Sequence, residues 1–75
     1  MPLAALNSYA KDDAIVEKLE FNAATANRLK SLGLFEGQRI TVARRGNPLI
    51  VKAAGSRIAI ADGLAQHIWV REFDE

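Results

Sequence analysis

The stretch that decides the fold is Arg28–Val42, RLKSLGLFEGQRITV. Its first half has the spacing of a helix and its second half alternates like a strand. Two glycines divide the halves. Gly33 falls just past the last good helical residue, where a left-handed cap belongs, because glycine carries no Cβ to clash there. Leu34 then packs back on Leu29 in the Schellman pattern. Gly37, in Phe35-Glu36-Gly37-Gln38, suits the positive-φ position of a type II turn. Ile40 and Val42 alternate with Arg39 and Thr41 as a strand. One short helix is thus expected to lie across the mouth of a sheet that begins at once.

Working back from this phrase, Asn22 is placed to cap the helix through its side-chain oxygen. Ala26, Leu29 and Leu32 or Gly33 form a narrow apolar face over Ala23–Leu32, with Asn27, Lys30 and Ser31 on the other side. Ala14–Phe21 (AIVEKLEF) reads as a strand in which Ile15, Leu19 and Phe21 share a parity and Val16 breaks it, the mark of a bulge. Pro2–Leu6 is expected to form one helical turn, with Leu3 and Leu6 plugging an end of the core.

Working forward, Arg44-Arg45-Gly46-Asn47-Pro48 is a loop and Leu49–Ala54 an apolar strand interrupted by Lys52. Gly55-Ser56 reads as a two-residue hairpin turn with glycine at its first central position. Ile58 and Ile60 share one face of the next strand. Asp62 is expected to cap a brief turn running to Gln66. His67–Phe73 closes the chain as a strand, with Ile68 and Val70 inward and His67, Trp69 and Arg71 outward. The sum is a mostly-β single domain over residues 1–75: a small five-stranded β-barrel with one short α-helix between its first and second strands.

Composition agrees. The chain has 75 residues, of which 49% are hydrophobic, enough for one compact core. It has no cysteine, so the core holds without disulfides or thiolate metal sites. No apolar run reaches the roughly 20 residues that span a bilayer. The N-terminal MPLAALNSYAKDD lacks the features of a signal peptide, so a cytoplasmic location without membrane insertion is expected. Ten basic and nine acidic residues leave a net charge of +1. A dedicated nucleic-acid domain shows a clearer basic excess, which argues against that partner.

The order and spacing of these pieces resemble the FeoA family, small cytoplasmic accessory proteins of bacterial ferrous-iron transport. The resemblance spans residues 14 to 71. It is carried by Arg28, Leu29, Leu32, Gly33, Leu34 and Gly37, by Ile40 and Val42, by Pro48–Gly55 (PLIVKAAG), by Arg57-Ile58-Ala59-Ile60, and by Ala65, Ile68 and Val70. Glu36 stands where the family often has proline, and Ala61-Asp62 replaces a basic residue and its neighbour. The resemblance implies an SH3-like barrel. It also implies a regulatory role docked on the cytoplasmic part of the large FeoB-type ferrous-iron transporter, which carries a GTP-hydrolysing domain.

Candidate contact residues follow. Trp69, the only tryptophan, stands beside Arg71 on the last strand, and both are residue types that anchor interfaces. Arg28, Leu34 and Phe35 surround the helix–turn switch. Cap packing for Leu34 and a core position for Phe35 are the simpler readings, whereas an exposed Phe35 at a helix end would suit docking. Arg44 and Arg45 at a hairpin tip could meet acidic groups or phosphate, although paired loop arginines are commonly just solvated. His67 is the only histidine, and a metal site there would need Asp12, Asp13, Glu17 or Glu20 to converge on it; a surface histidine is the simpler reading. No nucleophile–base pair, phosphate loop or carboxylate pair supports catalysis, so neither an enzyme nor a cofactor is expected. The rival readings are a nucleic-acid-binding barrel and a metal-delivery protein. Open strand edges also allow self-association into a homo-oligomer.

Overall fold

The computed structural model describes residues 3–73. Six antiparallel strands form one sheet: β1 Ala4–Ala5, β2 Asp13–Leu19, β3 Arg39–Arg44, β4 Leu49–Ala53, β5 Ser56–Ile60 and β6 Ile68–Glu72. Helix α1, Ala23–Ser31, connects β2 to β3, and the one-turn helix α2, Asp62–Ala65, connects β5 to β6. The spatial order is β1-β6-β2-β3-β4-β5. The sheet is therefore mostly-β as expected, but it has six strands, and β1 and β5 stand unpaired with each other at its ends. The added strand comes from the N-terminus, where Ala4 and Ala5 pair with Val70 and Trp69. This pairing displaces the expected helical turn, of which Pro2 lies outside the described residues. A 3₁₀ turn at Leu6–Ser8 follows instead. Leu6 is fully buried while Leu3 is exposed, so Leu6 alone closes that end of the core. With β1 counted, α1 follows the second strand.

The core gathers Leu6, Val16, Leu29, Leu34, Ile40, Leu49, Val51, Ile58, Ile60, Ile68 and Val70, among others. In β2 the parity changes midway. Val16 pairs with Val70 and Lys18 with Trp69, so Glu17 is the extra residue of a bulge. Before it, Ala14 and Val16 face the core; beyond it, Leu19 and Phe21 pack against the same core. Ile15, expected to share the inward parity of Leu19, falls on the other side of this break.

The switch from α1 to β3 is built as its residues dictate. The Asn22 side chain accepts the Thr25 amide at 2.9 Å. At the far end the Gly33 amide donates to Lys30 O and the Leu34 amide to Leu29 O, each at 3.0 Å. Together these two bonds are the Schellman motif, and Gly33 has φ +105°. The Gln38 amide then closes the turn on Phe35 O at 3.0 Å, with Gly37 at φ +89°.

Two local expectations are corrected. The β4–β5 turn is Ala54-Gly55, because Ala53 pairs with Ser56. Both central residues have positive φ, 51° and 81°, as a type I′ turn requires. Asp62 makes no capping bond from its side chain; its amide instead donates to Asn47 Oδ1 at 3.0 Å. Among the described residues no helix is long and apolar enough to cross a membrane.

Candidate functional site

The helix–turn switch opens a groove between α1, the edge strand β5 and α2. Its volume is about 340 Å³, and Thr25, Arg28, Leu32, Ile58, Ile60 and Leu64 line it. The geometry follows from the cap. The apolar stripe of α1 turns Leu29 into the core, which leaves Leu32, three residues on, at the rim. Leu32 is 46% exposed and Leu64, across the groove on α2, is 39% exposed. Arg28 is the one charged residue in this lining. The edge of β5 offers backbone groups unpaired on its outer side. An apolar trough with a single cation and an open strand edge can hold an apolar helix or strand from another chain.

Of the residues singled out from the sequence, Arg28 lies in this lining. Phe35 is 41% exposed just beyond the cap, outside the groove. Leu34 is fully buried and offers no surface, because the Schellman geometry that places it also drives it into the core. Leu32 and Leu64, which frame the groove, are not among the residues singled out. Leu32 reads as core by helical spacing, and only the alternative of Gly33 at that face hinted otherwise.

Trp69 and Arg71 stand together on the outer face of β6, both half-buried. Each is engaged within the chain. Arg71 Nε donates to Glu17 Oε2 at 2.8 Å, using the carboxylate that the β2 bulge brings there. Trp69 Nε1 reaches Glu20 Oε1 at 3.5 Å, and His67 Nδ1 lies 3.3 Å from the same oxygen. The hydrogen bond from His67, and then that from Trp69, hold the Glu20 carboxyl below its ordinary value. Phe21 meets the His67 ring edge to face at 6.0 Å.

Arg45 has a role in the chain's own architecture. Its guanidinium donates to Tyr9 O at 2.6 Å, Ala10 O at 3.1 Å and Lys11 O at 2.7 Å, and also reaches Asp12. It ties the loop after the 3₁₀ turn to the β3–β4 connection. Arg44 is exposed and lines the outer face of the sheet. Among the described residues no three His, Cys, Asp or Glu side chains converge as a metal group.

Comparisons with known proteins bear on this arrangement. The family model of the FeoA domain matches residues 1–72. A candidate Fe(2+) transport protein A of Methanocaldococcus jannaschii is 37% identical over 68 residues, covering 87% of this chain and 83% of that one. The crystal structure of an FeoA described as an iron uptake regulatory protein superposes with a TM-score of 0.82 at 30% identity, covering 95% of this chain and 97% of the other. A zinc-complexed Stenotrophomonas maltophilia FeoA superposes with a TM-score of 0.66 at 27% identity, covering 88% of this chain and 87% of the other. That protein is described as a procaryotic SH3 domain protein and a candidate activating factor of bacterial ferrous iron transport. The order of elements around the α1–β3 switch and the match over nearly the whole chain lead to one conclusion: the chain belongs to the FeoA family.

Proposed function

We propose that this chain is a cytoplasmic accessory protein of ferrous iron transport that docks on the cytoplasmic part of an FeoB-type transporter through the α1–β5–α2 groove. The observation that carries the reading is the pair Leu32 and Leu64, two large apolar side chains exposed on opposite rims of a trough beside an unpaired strand edge. Isolated exposed leucines are ordinary, but a pair framing a groove marks an interaction surface. Phe35, exposed just past the helix end, offers a further apolar contact, and Arg28 supplies one charge for orientation. Trp69 and Arg71 already have partners in the chain and form a secondary contact at most. The six-stranded antiparallel sheet is the scaffold: it presents the short helix in one orientation. To alter transport, the protein must bind one state of the transporter more tightly than another.

The test is an NMR titration of the isotope-labelled chain with the transporter's soluble GTP-hydrolysing domain, with and without a non-hydrolysable GTP analogue. Shifts should cluster at Leu32, Phe35 and Leu64 and depend on nucleotide. Leu32→Glu should weaken binding at least about tenfold, as expected for a central apolar contact. Absence of shifts in both nucleotide states, or binding indifferent to Leu32→Glu, would sink the proposal.

A further inference from the structure

The outer face of β3, β4 and β5 carries a second surface of different chemistry. It is a shallow concavity of about 760 Å³ lined by Thr41, Arg44, Ile50, Lys52, Arg57 and Ala59, among others. Three of these are cations; the Asp13 carboxylate stands at the margin, accepting from the Thr41 hydroxyl at 2.8 Å. Arg44, Lys52 and Arg57 make no ion pair among the described residues.

The placement of these cations is specific. Lys52 and Arg57 are direct cross-strand partners in the β4–β5 ladder. Like charges directly opposite each other destabilise a sheet. Arg44 reaches the face through a bulge. Val42 pairs with Val51 and Arg44 with Ile50, so Ala43 is the extra residue. Without the bulge Arg44 would share the inward parity of Val42, which is buried. With it, Arg44 stands opposite Ile50 on the outer face.

Five of the acidic residues are paired with other cations. Asp12, Asp13, Glu17, Glu20 and Glu72 pair with Arg45, Arg39, Arg71, His67 and Lys11 respectively. Among the described residues none of these carboxylates pairs with Arg44, Lys52 or Arg57, and the floor between the three cations is apolar, with Ile50 half-buried and Ala59 exposed.

We propose that this face binds an acidic, partly apolar peptide segment of a protein partner, its carboxylates on Arg44, Lys52 and Arg57 and its apolar side chains over Ile50 and Ala59. The surface shares only Ala59 with the α1 groove and does not depend on docking there. Arginine favours carboxylates through paired parallel hydrogen bonds. A nucleic acid fits less well: no aromatic side chain lines the face for base stacking, and three cations neutralise few phosphates.

The experiment is an NMR titration of the labelled full chain with a blocked decapeptide of glutamate and leucine, and in parallel with the same peptide carrying glutamine for each glutamate. A random DNA duplex and inorganic phosphate serve as further probes. The glutamate peptide should shift the amides of Arg44, Ile50, Lys52 and Arg57 and bind about tenfold more tightly than its glutamine counterpart. Combined Lys52→Glu and Arg57→Glu should weaken it by about tenfold or more, while Lys30→Glu, on α1, should not. Lys52→Gln with Arg57→Gln reads the same dependence if charge reversal disturbs the fold. Equal affinity for the two peptides, shifts centred elsewhere, no binding at millimolar peptide, or tighter binding of DNA or phosphate than of peptide at this face would each overturn the proposal.

Discussion

Replacing Gly33 by alanine should be among the most damaging single-methyl additions to this chain. A Cβ at Gly33 would lie 3.1 Å from the Ala54 Cβ and 3.4 Å from Ala53 O. The first distance is well inside the usual carbon–carbon separation of about 3.5–4.0 Å. The neighbour is a tight turn whose two central residues already hold positive φ, so it cannot easily give way. Two costs add. Holding alanine at positive φ costs about 1–2 kcal/mol, reduced slightly by the less flexible unfolded chain. Overpacking against the turn costs about 1–3 kcal/mol. The net loss should be about 2–4 kcal/mol, out of roughly 4–11 kcal/mol for a chain of this length. At roughly 4–8 °C per kcal/mol, Tm should fall by about 8–32 °C. Gly37→Ala is the control, because φ there is +89° but nothing lies within 4 Å of its Cβ. It should lose only the strain, about 1 kcal/mol. Urea unfolding followed by Trp69 fluorescence and circular dichroism measures both. Adding Ala54→Gly to Gly33→Ala should recover part of the loss beyond additivity, since it removes the clashing methyl. Equal losses for the two glycines, or strict additivity with Ala54→Gly, would refute the close packing of helix cap on hairpin turn.

Three further outcomes are expected. Ala54→Asn should stabilise the fold by about 0.5–1 kcal/mol in the same unfolding assay, because Ala54 holds φ 51° and Asn-Gly is the preferred pair for such a turn. Arg45→Lys should loosen the segment from Tyr9 to Asp12, costing about 1 kcal/mol and raising hydrogen exchange at the Asp13 and Val42 amides, because one ammonium cannot replace a fork that reaches three carbonyls. Unchanged exchange in that variant would show the fork to be inconsequential. The lowered carboxyl of Glu20 means that its bonds to His67 and Trp69 contribute stability above the unfolded-state value and lose it as pH falls through the folded one. Trp69 fluorescence should therefore show a transition below the ordinary glutamate range, absent in Glu20→Gln; a wild-type midpoint at or above that range would contradict the contact.

What the sequence determined by itself is local. Asn22, Gly33 and Gly37 each act within a few residues, so the start, the stop and the turn of α1 could be read directly, and all three form as read. The alternation of Ile68 and Val70 with Trp69 and Arg71 likewise defines the two faces of β6 without reference to any neighbour. The family was legible for the same reason: it is written in the order of such local signals.

Tertiary structure decided what depends on a partner strand. The β4–β5 turn could be centred on Ala54-Gly55 or on Gly55-Ser56, and both keep Val51, Ile58 and Ile60 on the inner face. A register shift of two residues preserves side-chain parity, so hydrophobic pattern cannot separate the two. Pairing with β3 and contact with Gly33 select the first. Ala4-Ala5 carries no local strand signal and becomes β1 only because β6 offers an open edge. The bulges at Glu17 and Ala43 depend on where each strand meets its neighbour, and the second alone brings Arg44 beside Lys52 and Arg57. The groove followed the same rule. Leu32 and Leu64 lie 32 positions apart in sequence, and only the packing of α1 and α2 beside β5 sets them across one trough.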